Sequence, residues 1–149
     1  MVDDVKNSES LTRKLYQINK LPCLNTGGTV GTAAWVFASV ILKLPCVALV
    51  GMDFGYSKKE TPLTKTQTYY ELVAHLGTSS GIEDYFIEYE FPLTKEKFYT
   101  DPTYFWYRKN FLELHEKASI QTINCTEGGT LIDPRIPCLR LEQFLKENG

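Results

Sequence analysis

Residues 29–42, TVGTAAWVFASVIL, put apolar side chains around nearly the whole circumference of a helix, and after Lys43 and Pro45 a second apolar run, CVALV, follows at 46–50. A helix without a polar face is expected to be buried on nearly every side. Its apolar members are Val30, Ala33, Ala34, Trp35, Phe37, Ala38, Val40, Ile41 and Leu42, and Pro45 stops it. The five residues 46–50 then read as a strand covered on both faces, closed by Gly51. With residues 21–24 as a preceding strand, 21–50 forms a strand, helix, strand unit of the length a right-handed crossover needs. At 149 residues and 43% hydrophobic content the chain holds one domain's worth of core.

The same run excludes other readings. It is shorter than the ~20 residues of a membrane-spanning helix, so no span is expected. The first ten residues, MVDDVKNSES, lack the charged-then-apolar pattern of an export signal, which points to a cytoplasmic chain. Sixteen basic residues stand against 18 acidic ones with no basic block, so nucleic acid is not an expected partner. Cys23, Cys46, Cys125 and Cys138 show no metal-ligand spacing, and no metal site is expected from them. Asn124-Cys125-Thr126 matches a glycosylation sequon, read as coincidence without an export signal.

Further along, 57–66 and 77–84 are polar and read as exposed loops, the first a possible lid. A helix is expected over 66–75, closing at Gly77. Asp101-Pro102 marks another, N-cap followed by proline, running to about Lys117. Residues 120–123 form a third strand, and 137–146 an amphipathic helix with Cys138, Leu141, Phe144 and Leu145 on one face. Strands alternating with helices imply an α/β fold, an open parallel sheet of about three strands flanked by helices, whose ligand lies beyond the carboxyl ends of the strands.

Three loops follow those strand ends: Asn25-Thr26-Gly27-Gly28, Gly51-Met52-Asp53-Phe54-Gly55-Tyr56 and Asn124-Cys125-Thr126-Glu127-Gly128-Gly129. Gly27, Gly28 and Thr29 lead into a helix and suit a phosphate; a structural turn capped by Thr29 explains them as well, since GGTVGT is neither a dinucleotide fingerprint nor a lysine-bearing phosphate loop. Asp53 suits ribose hydroxyls or a metal, or else caps its own loop. Tyr56 offers a phenol to a phosphate oxygen, or packs. Glu127, between Thr126 and Gly128-Gly129, is a candidate acid, base or hydroxyl acceptor, or a cap. Tyr99, Tyr104, Trp106 and Tyr107 suit a flat ring or the core, with Arg108 a possible anion contact. His75 and His115 have no partner in sequence and read as structural.

Taken together, "NTGGTVGTAA", the apolar strand into "GMDFGY", "YTDPTYFWYR" and "NCTEGG" resemble the Maf (motility accessory factor) family and its 6-hydroxymethylpterin diphosphokinase relatives, over roughly residues 21–145. A more distant similarity reaches bacterial sialyltransferases that use CMP-sugars. The resemblance implies a Rossmann-like, nucleotide-binding transferase. Gly27, Gly28 and Thr29 would match the family's glycine turn, Asp53 its strand-end aspartate, and Thr126, Glu127, Gly128 and Gly129 its second glycine turn. The first expectation is a glycosyltransferase moving a nonulosonic-acid sugar from a CMP carrier to a protein or glycan hydroxyl, with Asp53 and Glu127 as the acting carboxylates. The alternatives are an ATP-dependent diphosphokinase, with Asp53 and Glu127 placing Mg²⁺, and a non-catalytic assembly domain. The family's upstream strand and its G-P-S-type loop are not found, nor is a histidine close after "GMDFGYSKKE". The chain therefore resembles the carboxyl-terminal half of the family unit, expected to pair with a second copy or with an amino-terminal segment.

Overall fold

The computed structural model describes residues 25–148 together with Lys14, Gln17, Ile18 and Lys20. The strand expected at 21–24, and Cys23 with it, lie outside the described residues.

Thr29 opens the first helix, α1 (Val30–Val36), from extended backbone, its hydroxyl oxygen accepting the Thr32 N–H at 3.1 Å. The chain then widens into a π-helical turn, Phe37–Ile41, before Lys43 breaks it with a φ of 54°. Thr32, Trp35 and Val36 are buried. Val30, Ala34, Phe37 and Ile41 are exposed, Val30 at 87%. The expectation of burial on nearly every side is therefore corrected: α1 packs one stripe inward, because the described residues supply a neighbouring layer on one side alone.

That layer is a parallel pair, β1 (Cys46–Leu49) against β5 (Gln121–Asn124), in register Cys46 to Gln121 through Leu49 to Asn124. Both strands lie within a residue of where the apolar runs place them. Trp35 spans from α1 to β5, its indole N–H donating to Thr122 Oγ1 at 3.0 Å, and meets Phe111 edge-on at 5.2 Å. The core gathers around this contact: Trp35, Val36, Leu49, Phe54, Phe111, Leu114, Ile120, Leu131 and Ile136.

The long crossover from β1 to β5 carries an antiparallel sheet that the sequence reading does not anticipate. β2 (Tyr56–Ser57), β3 (Ile87–Glu90) and β4 (Lys97–Thr100) are ordered β2-β4-β3. Its solvent face is tied by Glu88, which accepts from Lys58 and from Lys97; these two ammonium groups hold the Glu88 carboxyl down at about 2. The two expected loops are more ordered than foreseen. Residues 57–66 begin inside β2 and hold a 3₁₀ turn at Leu63–Lys65, and 77–84 runs into another at Ile82–Tyr85, with Ile82 buried.

The helix α2 (Gln67–Leu76) starts at a Thr66 cap and ends at Gly77, whose φ of 68° suits glycine. α3 (Pro102–Glu116) follows Asp101, whose Oδ1 accepts the Tyr104 N–H at 2.7 Å. α4 spans Leu141–Asn148. This corrects the helix expected from Pro137: residues 137–139 run extended along β5 instead. Asn124 donates its N–H to Pro137 O at 2.9 Å and accepts from Leu139 N at 3.0 Å. From residue 25 on, the described residues form a mixed α/β fold of four helices, a two-strand parallel sheet and a three-strand antiparallel sheet, neither closed. No helix among the described residues is long and apolar enough to cross a membrane.

Candidate functional site

Parallel strands end side by side, so β1 and β5 bring residues 50–56 and 125–130 to one rim. The two loops interlock through backbone. Thr130 donates its N–H to Asp53 O at 2.7 Å and its hydroxyl to Phe54 O at 2.7 Å, while Thr126 Oγ1 accepts from Met52 N at 3.3 Å. Gly129, at φ 83°, lies so close that a Cβ there would sit 2.5 Å from Asp53 Cα and O. Gly128 faces the Phe98 ring, 2.9 Å from where its Cβ would be. These glycines admit the close approach of one loop to the other, a packing role that the sequence leaves undistinguished from ligand binding.

Asp53 itself keeps its carboxylate free of any hydrogen-bond partner among the described residues, although its residue surface is exposed to water. The surrounding protein crowds the carboxyl enough that desolvation raises its pKa above the ordinary carboxylate value. A carboxylate without a protein partner at a strand end can accept hydrogen bonds from water or from a ligand's donors.

The first glycine turn reaches the rim from the other side. Gly27 and Gly28 have φ of 61° and 92°, and Gly27 donates its N–H to Asn25 Oδ1 at 3.1 Å. A Cβ on Gly28 would meet the rings of Tyr107 and Trp106 within 2.9 Å, and one on Gly31 would touch Met52 at 3.4 Å. The turn thus packs on α3, and the first turn of α1 on the β1 loop. Thr29 is occupied as the α1 cap, donating also to Thr32 Oγ1 at 2.9 Å.

Three other candidates have protein partners. Glu127, with φ 62°, accepts the Leu141 N–H on Oε1 at 3.1 Å and so caps α4. Arg108 donates from Nε to Thr130 O and from Nη2 to Ile132 O, both at 2.8 Å, and its guanidinium lies 5.1 Å from the Tyr89 ring centre. It clamps residues 130–132 onto α3. Tyr56 turns away from the rim: its hydroxyl donates to Asp101 Oδ2 at 3.4 Å, and burial, then the Asp101 charge, raise its pKa. His75 is exposed in the last turn of α2. His115 is buried against Trp35 and Phe111 with neither ring nitrogen hydrogen-bonded; burial, then Arg135, lowers its pKa.

Asn124 is fully buried, its Oδ1 accepting from Thr126 N at 3.0 Å and its Nδ2 donating to Leu131 O at 2.9 Å. It organises the second loop and is inaccessible to glycosylation. Cys125 is buried, and Cys46 and Cys138 half-buried. Among the described residues no group of three or more His, Cys, Asp or Glu is placed to hold a metal.

Beside the rim, a cleft of about 300 Å³ opens between α2 and α3. Tyr56, Tyr104 and Tyr107 wall it, and Asp101, Thr68 and Glu71 line it. Asp101 is 1% exposed and accepts from Tyr104 N, Tyr56 and Thr68, the last at 2.6 Å. Asp101 was legible as a helix cap; its second duty toward α2 and β2 left no trace in the sequence. A larger cavity, about 460 Å³, lies at the opposite end, at Leu44 and Pro45 before β1 and at Ser119 and Ile120 before β5. Lys43 and Lys117 there follow the ends of α1 and α3 and complement the helix dipoles.

No protein-family model, no curated protein and no solved structure matches this chain.

Proposed function

We propose that the parallel pair is the described part of a Rossmann-like sheet, and that the chain serves a Maf-like glycosyltransferase moving a nonulosonic-acid sugar from a CMP carrier to a protein or glycan hydroxyl. One observation carries the reading: the Asp53 carboxylate stands unpartnered and partly desolvated where two strand ends meet. Sugar and ribose hydroxyls supply the donors such a carboxylate lacks, with charge-assisted bonds stronger than neutral ones. Gly27, Gly28 and Thr29 are the phosphate-side group in this reading, with Gly28 against the Tyr107 and Trp106 rings and Gly31 of the following helix beside Met52 of the rim. Glu127 is engaged as the α4 cap, so we assign it no proton transfer. The ATP and Mg²⁺ reading is the second.

Thermal-shift measurements with CMP, a CMP-sugar, ATP and GTP, each with and without Mg²⁺, test the reading, because a ligand that binds only the folded state raises its melting temperature. Metal-independent stabilisation by CMP is expected. Asp53→Asn should weaken that binding by roughly 1.5–3 kcal/mol with the fold intact. Stabilisation by ATP only with Mg²⁺ would replace the proposal with the diphosphokinase, and silence toward all four would favour an assembly role.

A further inference from the structure

Which ligand suits the cleft between α2 and α3 follows from what lines it. Its walls are the rings of Tyr56, Tyr104 and Tyr107, in sequence 5.3 and 6.4 Å apart between centres. Its polar groups are hydroxyls, an amide and carboxylates: Thr68 and Thr103, Gln67, Glu71 and Asp101. No lysine, arginine or histidine lines it. A phosphate or carboxylate would find no counter-charge and would face two carboxyl groups, so an anionic ligand is disfavoured. Tyrosine rings beside hydroxyl, amide and carboxylate groups match a neutral sugar ring, which has an apolar face and hydroxyls around its edge.

The cleft is also held in shape. Asp101 gathers Tyr56 from β2, Thr68 from α2 and the Tyr104 amide of α3 on one buried carboxylate. Gln67 donates to Glu71 Oε1 at 2.7 Å along the exposed side of α2. Such fixed groups bind without a large ordering cost.

Its position joins it to the rim. Tyr56 is three positions along the chain from Asp53, so their Cα atoms lie within about 11 Å of each other even in fully extended chain. Tyr107 both lines the cleft and packs on Gly28. We propose that this cleft is an acceptor subsite for a neutral pyranose ring, set beside a donor held at Asp53 and the glycine turn. The subsite rests on the transferase reading for its role, but not for its ligand.

Amide NMR of the 149-residue chain, titrated separately with methyl glycosides of neutral hexoses, choline chloride and CMP, tests it. Neutral glycosides are expected to shift Thr68, Glu71 and Tyr104 in the millimolar range. Glu71→Ala, at an exposed helix position, should weaken that response about tenfold, the loss of one charged hydrogen bond. Thr103→Trp should abolish it by filling the cleft while leaving CMP binding at the rim unchanged, with the melting temperature reporting that both variants fold. Choline shifting these residues while glycosides do not would overturn the neutral-sugar assignment in favour of a cation cage. No shift with any glycoside, or one indifferent to both variants, would also overturn it. Glycoside binding without any CMP response would leave the subsite standing and count against the transferase reading.

Discussion

Replacing Gly129 by alanine separates two costs that the structure assigns to different glycines. At Gly129 the new Cβ would be 2.5 Å from Asp53 Cα and O, backbone atoms that cannot swing aside, and φ is 83°. At Gly51 φ is 73° but nothing lies within 4 Å of the added atom. A left-handed backbone with a Cβ costs roughly 1–2 kcal/mol, and forcing an extra methyl into packed surroundings a further ~1–3 kcal/mol. Gly51→Ala should therefore cost roughly 1–2 kcal/mol and Gly129→Ala roughly 2–5 kcal/mol. For a chain of this length each kcal/mol is worth about 3 °C, giving melting temperatures lower by about 3–6 °C and about 6–15 °C. Thermal unfolding followed by circular dichroism, checked by urea midpoints, measures both. Equal losses in the two variants would refute the claim that the rim is built on this close approach. Since Gly129 positions Asp53, its alanine variant should also lose CMP affinity, which Gly51→Ala should keep.

Four further outcomes follow from individual side chains. His115 is buried with a lowered pKa, so the unfolded chain takes up the proton first; stability should hold above pH 6.5 and decline as pH falls below it, and His115→Leu should flatten that limb in urea titrations. Asp133, held at about 2 by its hydrogen bonds to Arg135, adds a separate loss only below its ordinary 3.8. Trp35→Phe should destabilise by roughly 1–3 kcal/mol by leaving Thr122 Oγ1 buried without its donor, and adding Thr122→Val should recover part of it. Glu127→Ala should cost about 1 kcal/mol through the lost α4 cap; in a reconstituted transfer assay it should spare turnover, and a collapse of turnover would restore Glu127 as an acting carboxylate.

Where sequence and structure agree, the signal is local. Asp101-Pro102 and Gly77 fix helix ends by their own backbone preferences, and the apolar runs give β1 and β5 to within a residue. The hairpin of β3 and β4 went unread: Ile87 and Tyr89 alternate with Glu88 and Glu90, but those side chains are mostly exposed and the alternation is only four residues long. Residues 137–139 mislead for the opposite reason. Their helical spacing continues into α4, and only the distant Asn124 backbone draws them into an extended path. The apolar circumference of α1 overstated its burial because hydrophobicity records what a helix can bury and not whether a neighbour is present. At the rim, the position of Asp53 was legible because a charged residue ending an apolar strand stands out. The occupations of Glu127, Arg108 and Tyr56 were not, since each depends on a partner at least 14 residues away.

The parallel pairing of β1 with β5 sets an order of assembly. Each of its residue pairs is 75 positions apart, as from Cys46 to Gln121, whereas β3 and β4 meet across seven, from Glu90 to Lys97. Closing a loop costs entropy that grows as the logarithm of its length, so the hairpin has the smaller penalty and the parallel pair the larger. Non-local pairing of this kind slows folding. The rim exists only once that pairing is made, because Asp53 and Gly129 sit on opposite sides of it. A side-chain truncation in β5, such as Ile123→Val, should therefore speed unfolding with little change in the refolding rate if the parallel pair forms after the main barrier. A truncation confined to the hairpin, such as Ile87→Ala, should slow refolding instead, which makes the rim the last of these described elements to mature.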